Sequence, residues 1–218
     1  MADPMRAFVY IVESPSSADL FDGRTEGGVL RETLKLAEVR AEYRLATNVG
    51  FFDKAIGEEL LGLANASKAD STAYLPMLHI SAHGNPDGIE LTDGTFLHWD
   101  DLRLRLHPIN EALNGLLIVG LSSCHGSSGL RMAAWETGPR PFGLLFGHHG
   151  EASWSDLALG FAVFYHRFIC INSGLAKSLD AMRAASGSDN FQVWWGPGVQ
   201  QGWTEYWHRR RKEEGLEP

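Results

Sequence analysis

Two residues of this 218-residue chain could do covalent chemistry together, Cys124 and His83, and each stands where an apolar run stops. The first run reads Leu78-His79-Ile80-Ser81-Ala82-His83-Gly84-Asn85, and the second Leu116-Leu117-Ile118-Val119-Gly120-Leu121-Ser122-Ser123-Cys124-His125-Gly126. A thiol ionises near pH 8.5, so about a few per cent is thiolate at neutral pH without help. A nearby imidazole can take the thiol proton, or hold one for a departing amine. Gly84 lets backbone approach a reacting carbonyl closely. Its N–H and that of Cys124 would form an oxyanion hole, each donor contributing roughly 3 kcal/mol. Ser122, Ser123, Gly126, Ser127, Ser128 and Gly129 keep the surroundings of the thiol small enough for an extended peptide.

Other roles compete for the same residue types. Cys124 could be a buried structural thiol, since free cysteine is often buried; its place at a strand end among small polar residues favours the nucleophile. Cys170, in Phe168-Ile169-Cys170-Ile171, reads instead as core. His79 shares a sheet face with His83, four residues on, but lies deeper in the strand, where packing is its expected role. His125, His148 and His149 with Cys124 suggest zinc, yet no Cys-x-x-Cys or His-Glu-x-x-His spacing occurs, and no metal or cofactor is expected. The tryptophans read mostly as core and sheet-edge packing, with a minority available to line substrate subsites.

The elements that must position the pair follow from periodicity. Strands are expected at Arg6–Val12, Tyr43–Thr47, Met77–Ser81, Leu116–Leu121, Pro141–Phe146 and Phe191–Trp195, several of them continuous apolar runs, as in sheets covered on both faces. Between them, Leu30, Leu34 and Ala37 share one helical face, and Ile56, Leu60 and Leu63 another. Leu175, Leu179, Met182 and Ala185 form a third stripe, with Asn172 and Ser173 upstream as N-caps. Strand–helix alternation along the whole length implies one three-layer α/β domain over 1–218 with a mostly parallel sheet. Cys124 follows His83 by 41 residues, enough for a crossover helix starting near Trp99. Adjacent strands would then present both side chains on the carboxyl edge, where open parallel sheets gather their chemistry.

Composition narrows the function classes. The chain is 44% hydrophobic and 21% charged, with a formal net charge of −8, which argues against a nucleic-acid-binding surface. The basic run His208-Arg209-Arg210-Arg211-Lys212 meets Glu213 and Glu214 at once and reads as a solvated terminal helix, with 206–218 an exposed tail. No stretch reaches about 18 uncharged apolar residues, so no membrane span is expected. Two cysteines make no disulfide framework and no secretory signal is evident, so a cytoplasmic location with free thiols is expected.

The order of these features resembles the caspase-like cysteine peptidases, the group of caspases, metacaspases and separase. His83-Gly84 after one strand and Ser122-Ser123-Cys124-His125-Gly126 after the next are the most specific part. The stretch Asn85-Pro86-Asp87-Gly88-Ile89-Glu90-Leu91-Thr92-Asp93-Gly94 is similar to the bacterial CHAT branch, where His-Gly precedes a hairpin ending in Asp-Gly. Phe164-Tyr165-His166-Arg167-Phe168 and Gly174-Leu175-Ala176-Lys177-Ser178-Leu179 resemble that branch's late helices, and Phe191-Gln192-Val193-Trp194-Trp195-Gly196 its closing strand. The resemblance implies a caspase-hemoglobinase fold with a mostly parallel six-stranded sheet flanked by helices. It also implies a Cys–His dyad in which Cys124 attacks the scissile carbonyl, His83 protonates the leaving amine and Gly84 and Cys124 hold the oxyanion.

Departures from the pattern bear on specificity. Metacaspases, which favour basic P1 residues, carry an acid two positions before the nucleophile, and here that position is Ser122. Asp156, then Glu151, resemble in position the S1 acid of separase-like enzymes, and Asp156 reads equally as a helix cap. Only 17 residues join Cys124 to Pro141, so activation by a partner or ligand is expected rather than cleavage of a linker. The expected function is cysteine endopeptidase action on a protein or peptide substrate, under a regulatory protein partner, by analogy in bacterial defence or cell death. A non-catalytic or latent interaction module is the alternative, and a thiol hydrolase or acyltransferase a third reading.

Overall fold

The structure is a computed structural model and describes residues 7–69, 75–135 and 138–213. The first strand, β1 (Ala7–Ser14), is buried at all eight positions, the burial expected of a strand sandwiched between helical layers. After it come α1 (Ser17–Phe21), α2 (Glu26–Leu36), β2 (Ala41–Leu45) and α3 (Val49–Asp53). A π-helical turn (Lys54–Leu60) leads directly into α4 (Leu61–Ala69), so the stripe of Ile56, Leu60 and Leu63 spans two winding types rather than one regular helix. Next are β3 (Leu75–Asn85), the short β4 (Gly88–Glu90) and β5 (Phe96–His98), and α5 (Trp99–Ala112). The second half runs β6 (Ile118–Ser122), a 3₁₀ helix (Gly126–Ala133), β7 (Leu144–His148), α6 (Trp154–Tyr165) with a closing π turn (His166–Cys170), α7 (Leu175–Ser186), β8 (Phe191–Trp195) and α8 (Gly196–Glu213).

The strands lie in the order β2-β1-β3-β6-β7-β8, parallel except for β8, which runs against β7. The hairpin strands β4 and β5 continue from the end of β3 beyond this six-strand path. Successive side chains of each strand feed opposite layers. Phe8, Tyr10, Val12, Leu78, Ile80, Val119 and Leu121 pack with Phe52, Ile56, Leu102, Leu106 and Met132 on one side. Val9, Ile11, Met77 and Phe146 pack with Leu30, Leu34, Leu157, Phe161 and Met182 on the other. The chain is therefore α/β, with a mostly parallel mixed sheet flanked by helices. No helix among the described residues is long and apolar enough to cross a membrane.

Several local expectations change. The run beginning at Pro141 enters its strand only at Leu144, because proline has no N–H for the ladder and the Gly143 N–H is taken by the Leu117 carbonyl at 2.9 Å. Asn172 and Ser173 do not cap α7. Asn172 itself is left-handed (φ +50°) and Gly174 (φ +77°) is the capping residue, with no side-chain cap. Cys170 is exposed rather than core: its apolar run overlaps the π turn closing α6, none of whose residues is buried, and its thiol meets the Ala37 carbonyl at 3.3 Å. The basic run continues α8 as a mostly exposed helix through Glu213. Arg6 and the tail residues 214–218 lie outside the described residues.

Candidate active site

The β3–β6 register fixes the relation between the two chemical residues. Met77 pairs with Ile118, His79 with Gly120 and Ser81 with Ser122, a constant offset of 41. The ladder ends there, on strands about 4.8 Å apart; β3 runs on through His83 while β6 gives way to the turn that carries Cys124, close to the His83-Gly84 backbone. Both side chains face α6. The His83 ring meets the Trp154 ring edge-on at 5.1 Å between centroids, and Cys124 Sγ meets the backbone of Ala152, just before that helix. The strand order puts His83 at a switch point, since β1 and β3 are neighbours whose continuations run to opposite sides of the sheet, and crevices form at such points.

The loop carrying the thiol is tightly built. Ala152 N–H donates to Cys124 Sγ at 3.4 Å, and Sγ lies 3.6 Å from the Ala152 carbonyl. His125 adopts the left-handed conformation (φ +56°) and donates its N–H to the Gly150 carbonyl at 2.7 Å, turning the chain from β6 into the 3₁₀ helix. A non-glycine residue in that conformation is strained by about 1–2 kcal/mol. The same Gly150 carbonyl lies 3.3 Å from His148 Nδ1, and His148 Nε2 lies 2.9 Å from Ser188 Oγ. A Cβ on Gly84 would lie 2.8 Å from the Cys124 carbonyl oxygen, so the backbones of the His-Gly and Cys segments touch and only glycine fits there.

Asp19, in α1, is the partner that sequence reasoning missed. Its Oδ2 lies 2.8 Å from His83 Nε2, and it is buried although the His83 side chain is 42% exposed. Ser16 caps α1: its Oγ accepts the Asp19 N–H at 3.1 Å and donates to Oδ2 at 2.5 Å, and Arg24 Nε stands 3.7 Å from Oδ1. Hydrogen bonds from Ser16 and then His83 hold the Asp19 carboxyl below its ordinary range. The signal available in sequence was Ser16-Ser17-Ala18-Asp19, which also reads as an ordinary helix start.

The remaining site residues are placed as follows. Ser122 is fully buried just before Cys124, and its hydroxyl, like those of Ser81 and Ser123, has no hydrogen-bond partner among the described residues. Asp156 does not cap α6: Ser153 does, accepting the Asp156 N–H at 3.1 Å, and Asp156 stands in the first turn. Glu151 is exposed in the preceding loop. A cavity of about 500 Å³ opens beside His83, and its walls include Ser16, Glu90, Thr92 and Asp93. The acids nearest that cavity are thus Glu90 and Asp93, from the hairpin, and neither Asp156 nor Glu151 lines it. Deeper on the same face His79 is fully buried, with Nδ1 3.2 Å from Tyr165 Oη and Nε2 3.2 Å from Glu26 Oε2, a structural role with polar partners. Among the described residues no group of three or more His, Cys, Asp or Glu could hold a metal.

Fold and site together define an α/β protein with a free thiol, an imidazole and a carboxylate gathered at the carboxyl edge of its sheet. No protein-family model matches the chain, and no curated protein matches it.

Proposed function

We propose that the chain is a caspase-like cysteine endopeptidase in which Cys124 is the nucleophile and His83 the acid–base. The single observation supporting this reading is that β3 and β6 are parallel neighbours and bring the His83-Gly84 backbone against Cys124 at the sheet's carboxyl edge. In the proposed reaction His83 takes the thiol proton and Sγ bonds to the scissile carbonyl carbon, sending the π pair to oxygen. The backbone N–H groups of Gly84 and Cys124 stabilise that oxyanion. As the C–N bond breaks, the proton on His83 passes to the amine. Water then cleaves the thioester, giving a carboxylic acid and regenerating the thiol. A reducing cytoplasm suits a thiol that must stay free, and a role in bacterial defence or regulated death is family analogy.

The bonds from Cys124 Sγ to both polar groups of Ala152 favour a latent resting form, released when a partner protein or the substrate moves the Gly150–Ser153 segment. The test is a peptide-library digest with and without candidate partners. Cleavage lost in both Cys124→Ala and His83→Ala supports the reading; unchanged turnover in either overturns it. A non-catalytic interaction module would instead leave Cys124 unlabelled by peptidyl chloromethyl ketones under every condition.

A further inference from the structure

We infer that Asp19 is a positioning residue that holds His83 as the Nε2–H tautomer, leaving Nδ1 as the nitrogen that exchanges protons with Cys124. A carboxylate only accepts hydrogen bonds, so at 2.8 Å from Asp19 Oδ2 the Nε2 atom must carry the hydrogen. Nδ1 has no hydrogen-bond partner among the described residues. A neutral imidazole offers one bare nitrogen, and fixing the hydrogen on Nε2 assigns that role to Nδ1.

The contact is built on both sides. Ser16 fixes the carboxylate through a reciprocal pair of bonds, and Arg24 approaches its other oxygen. Ser17 Oγ donates to the Thr92 carbonyl at 2.9 Å, tying α1 to the hairpin that continues from His83. Trp154 meets the imidazole edge-on, which limits its rotation. Such an arrangement matters most when the imidazole becomes charged: a buried carboxylate beside Nε2–H stabilises the imidazolium formed as the thiol loses its proton. The site is then a triad drawn from α1, β3 and the β6 loop rather than a dyad.

The catalytic consequence rests on the peptidase reading, but the tautomer does not, and one experiment separates them. ¹⁵N NMR of the full chain, with imidazole-labelled histidine and His83→Gln to assign the signal, should show Nε2 protonated and Nδ1 bare in the neutral imidazole. In Asp19→Asn the amide NH₂ donates to Nε2 and the tautomer should invert to Nδ1–H. Where wild type cleaves peptide, Asp19→Asn should lower kcat on the order of 100-fold, within the range of acid–base positioning, with KM changed less than about threefold. Asp19→Glu should recover part of the loss. Ser16→Ala, which leaves the carboxylate in place but unbraced, should give a smaller loss of the same sign. Nδ1–H in the wild type, or the same tautomer in wild type and Asp19→Asn, overturns the inference. Full activity in Asp19→Asn overturns its catalytic part while leaving the Cys–His reading standing. No cleavage by wild type with any candidate partner defeats the peptidase reading, and the tautomer measurement still decides the placement.

Discussion

Gly84 and Cys124 touch through their backbones. A methyl group on Gly84 would lie 2.8 Å from the Cys124 carbonyl oxygen and 3.1 Å from both side-chain atoms of Ser123. The first of these neighbours is backbone and cannot swing aside, so Gly84→Ala must part the β3 end from the Cys124 loop. We expect a cost of roughly 1–3 kcal/mol and loss of most peptide turnover, because the approach of the His83-Gly84 backbone to Cys124 is disturbed. Gly62→Ala is the control. It lies in α4 with nothing within 4 Å of the added atom, and should stabilise by about 0.5–1 kcal/mol with turnover unchanged. Chemical denaturation with a peptide assay reads both, and equal behaviour of the two variants would remove the case for a close approach at Gly84.

Tyr165 partners the deeper of the two histidines of β3. Its hydroxyl lies 3.2 Å from Nδ1 of the fully buried His79, whose Nε2 lies 3.2 Å from Glu26 Oε2. With Nε2–H given to the carboxylate, Nδ1 is an acceptor and the phenol, kept neutral by burial, is its donor. Tyr165→Phe leaves that nitrogen buried and unpaired, at a cost of about 1–3 kcal/mol, or roughly 3–10 °C in Tm. Peptide turnover at a temperature where the variant is folded should stay within about twofold of wild type, since His79 serves the core. A large selective loss of kcat would show that the deeper histidine takes part in the chemistry.

How much of this was legible from sequence depends on how far each signal reaches. Phe191–Trp195 forms β8 with the limits its apolar run suggests, and β6 ends at Ser122 just before Cys124, whereas β3 runs past the expected Ser81 through His83 to Asn85. Continuous burial writes itself into continuous apolar sequence, so these elements needed no tertiary information. Cys170 misled because an apolar run of four is as compatible with a helix end as with a strand. Asp19 was hidden for a different reason. It lies 64 positions from His83, and they meet only because β1 and β3 are neighbours in the sheet, an ordering that local spacing does not encode. The cavity acids Glu90 and Asp93 were visible within the hairpin, but the side of His83 they would occupy was not.

Glu13 gives a pH prediction with a definite sign. It is 1% exposed and accepts the N–H groups of Gly27 and Gly28 and the Tyr43 hydroxyl, yet burial outweighs these bonds and raises its pKa above the ordinary value. A raised folded pKa means that, between the unfolded value near pH 4.3 and the folded one, the native state binds more protons than the unfolded chain. Its contribution to stability is full below about pH 4.3 and is lost as pH rises through the folded value. Glutamine imitates the protonated form, so the stability of wild type relative to Glu13→Gln should fall as pH is raised across that window. Urea titrations at several pH values measure the difference, and a flat or rising one would refute the assignment.

His125 follows the nucleophile in the left-handed conformation, φ +56°, with its N–H on the Gly150 carbonyl at 2.7 Å. An L side chain there costs about 1–2 kcal/mol, which glycine avoids. Glycine also gives the unfolded chain more freedom, offsetting roughly 0.5–1 kcal/mol of that gain. The balance for His125→Gly is a stabilisation of up to about 1.5 kcal/mol. The backbone bond to Gly150 survives the change, and the imidazole has no placement in the proposed chemistry, so turnover and the rate of Cys124 alkylation should be retained. If His125→Gly is instead less stable and loses alkylation, the imidazole holds the loop and the strain is the smaller force. If stability rises while turnover falls, the backbone strain itself keeps the thiol in register with His83. Urea denaturation beside an iodoacetamide time course separates these outcomes, because one reads the loop's energy and the other the exposure and ionisation of the thiol it carries.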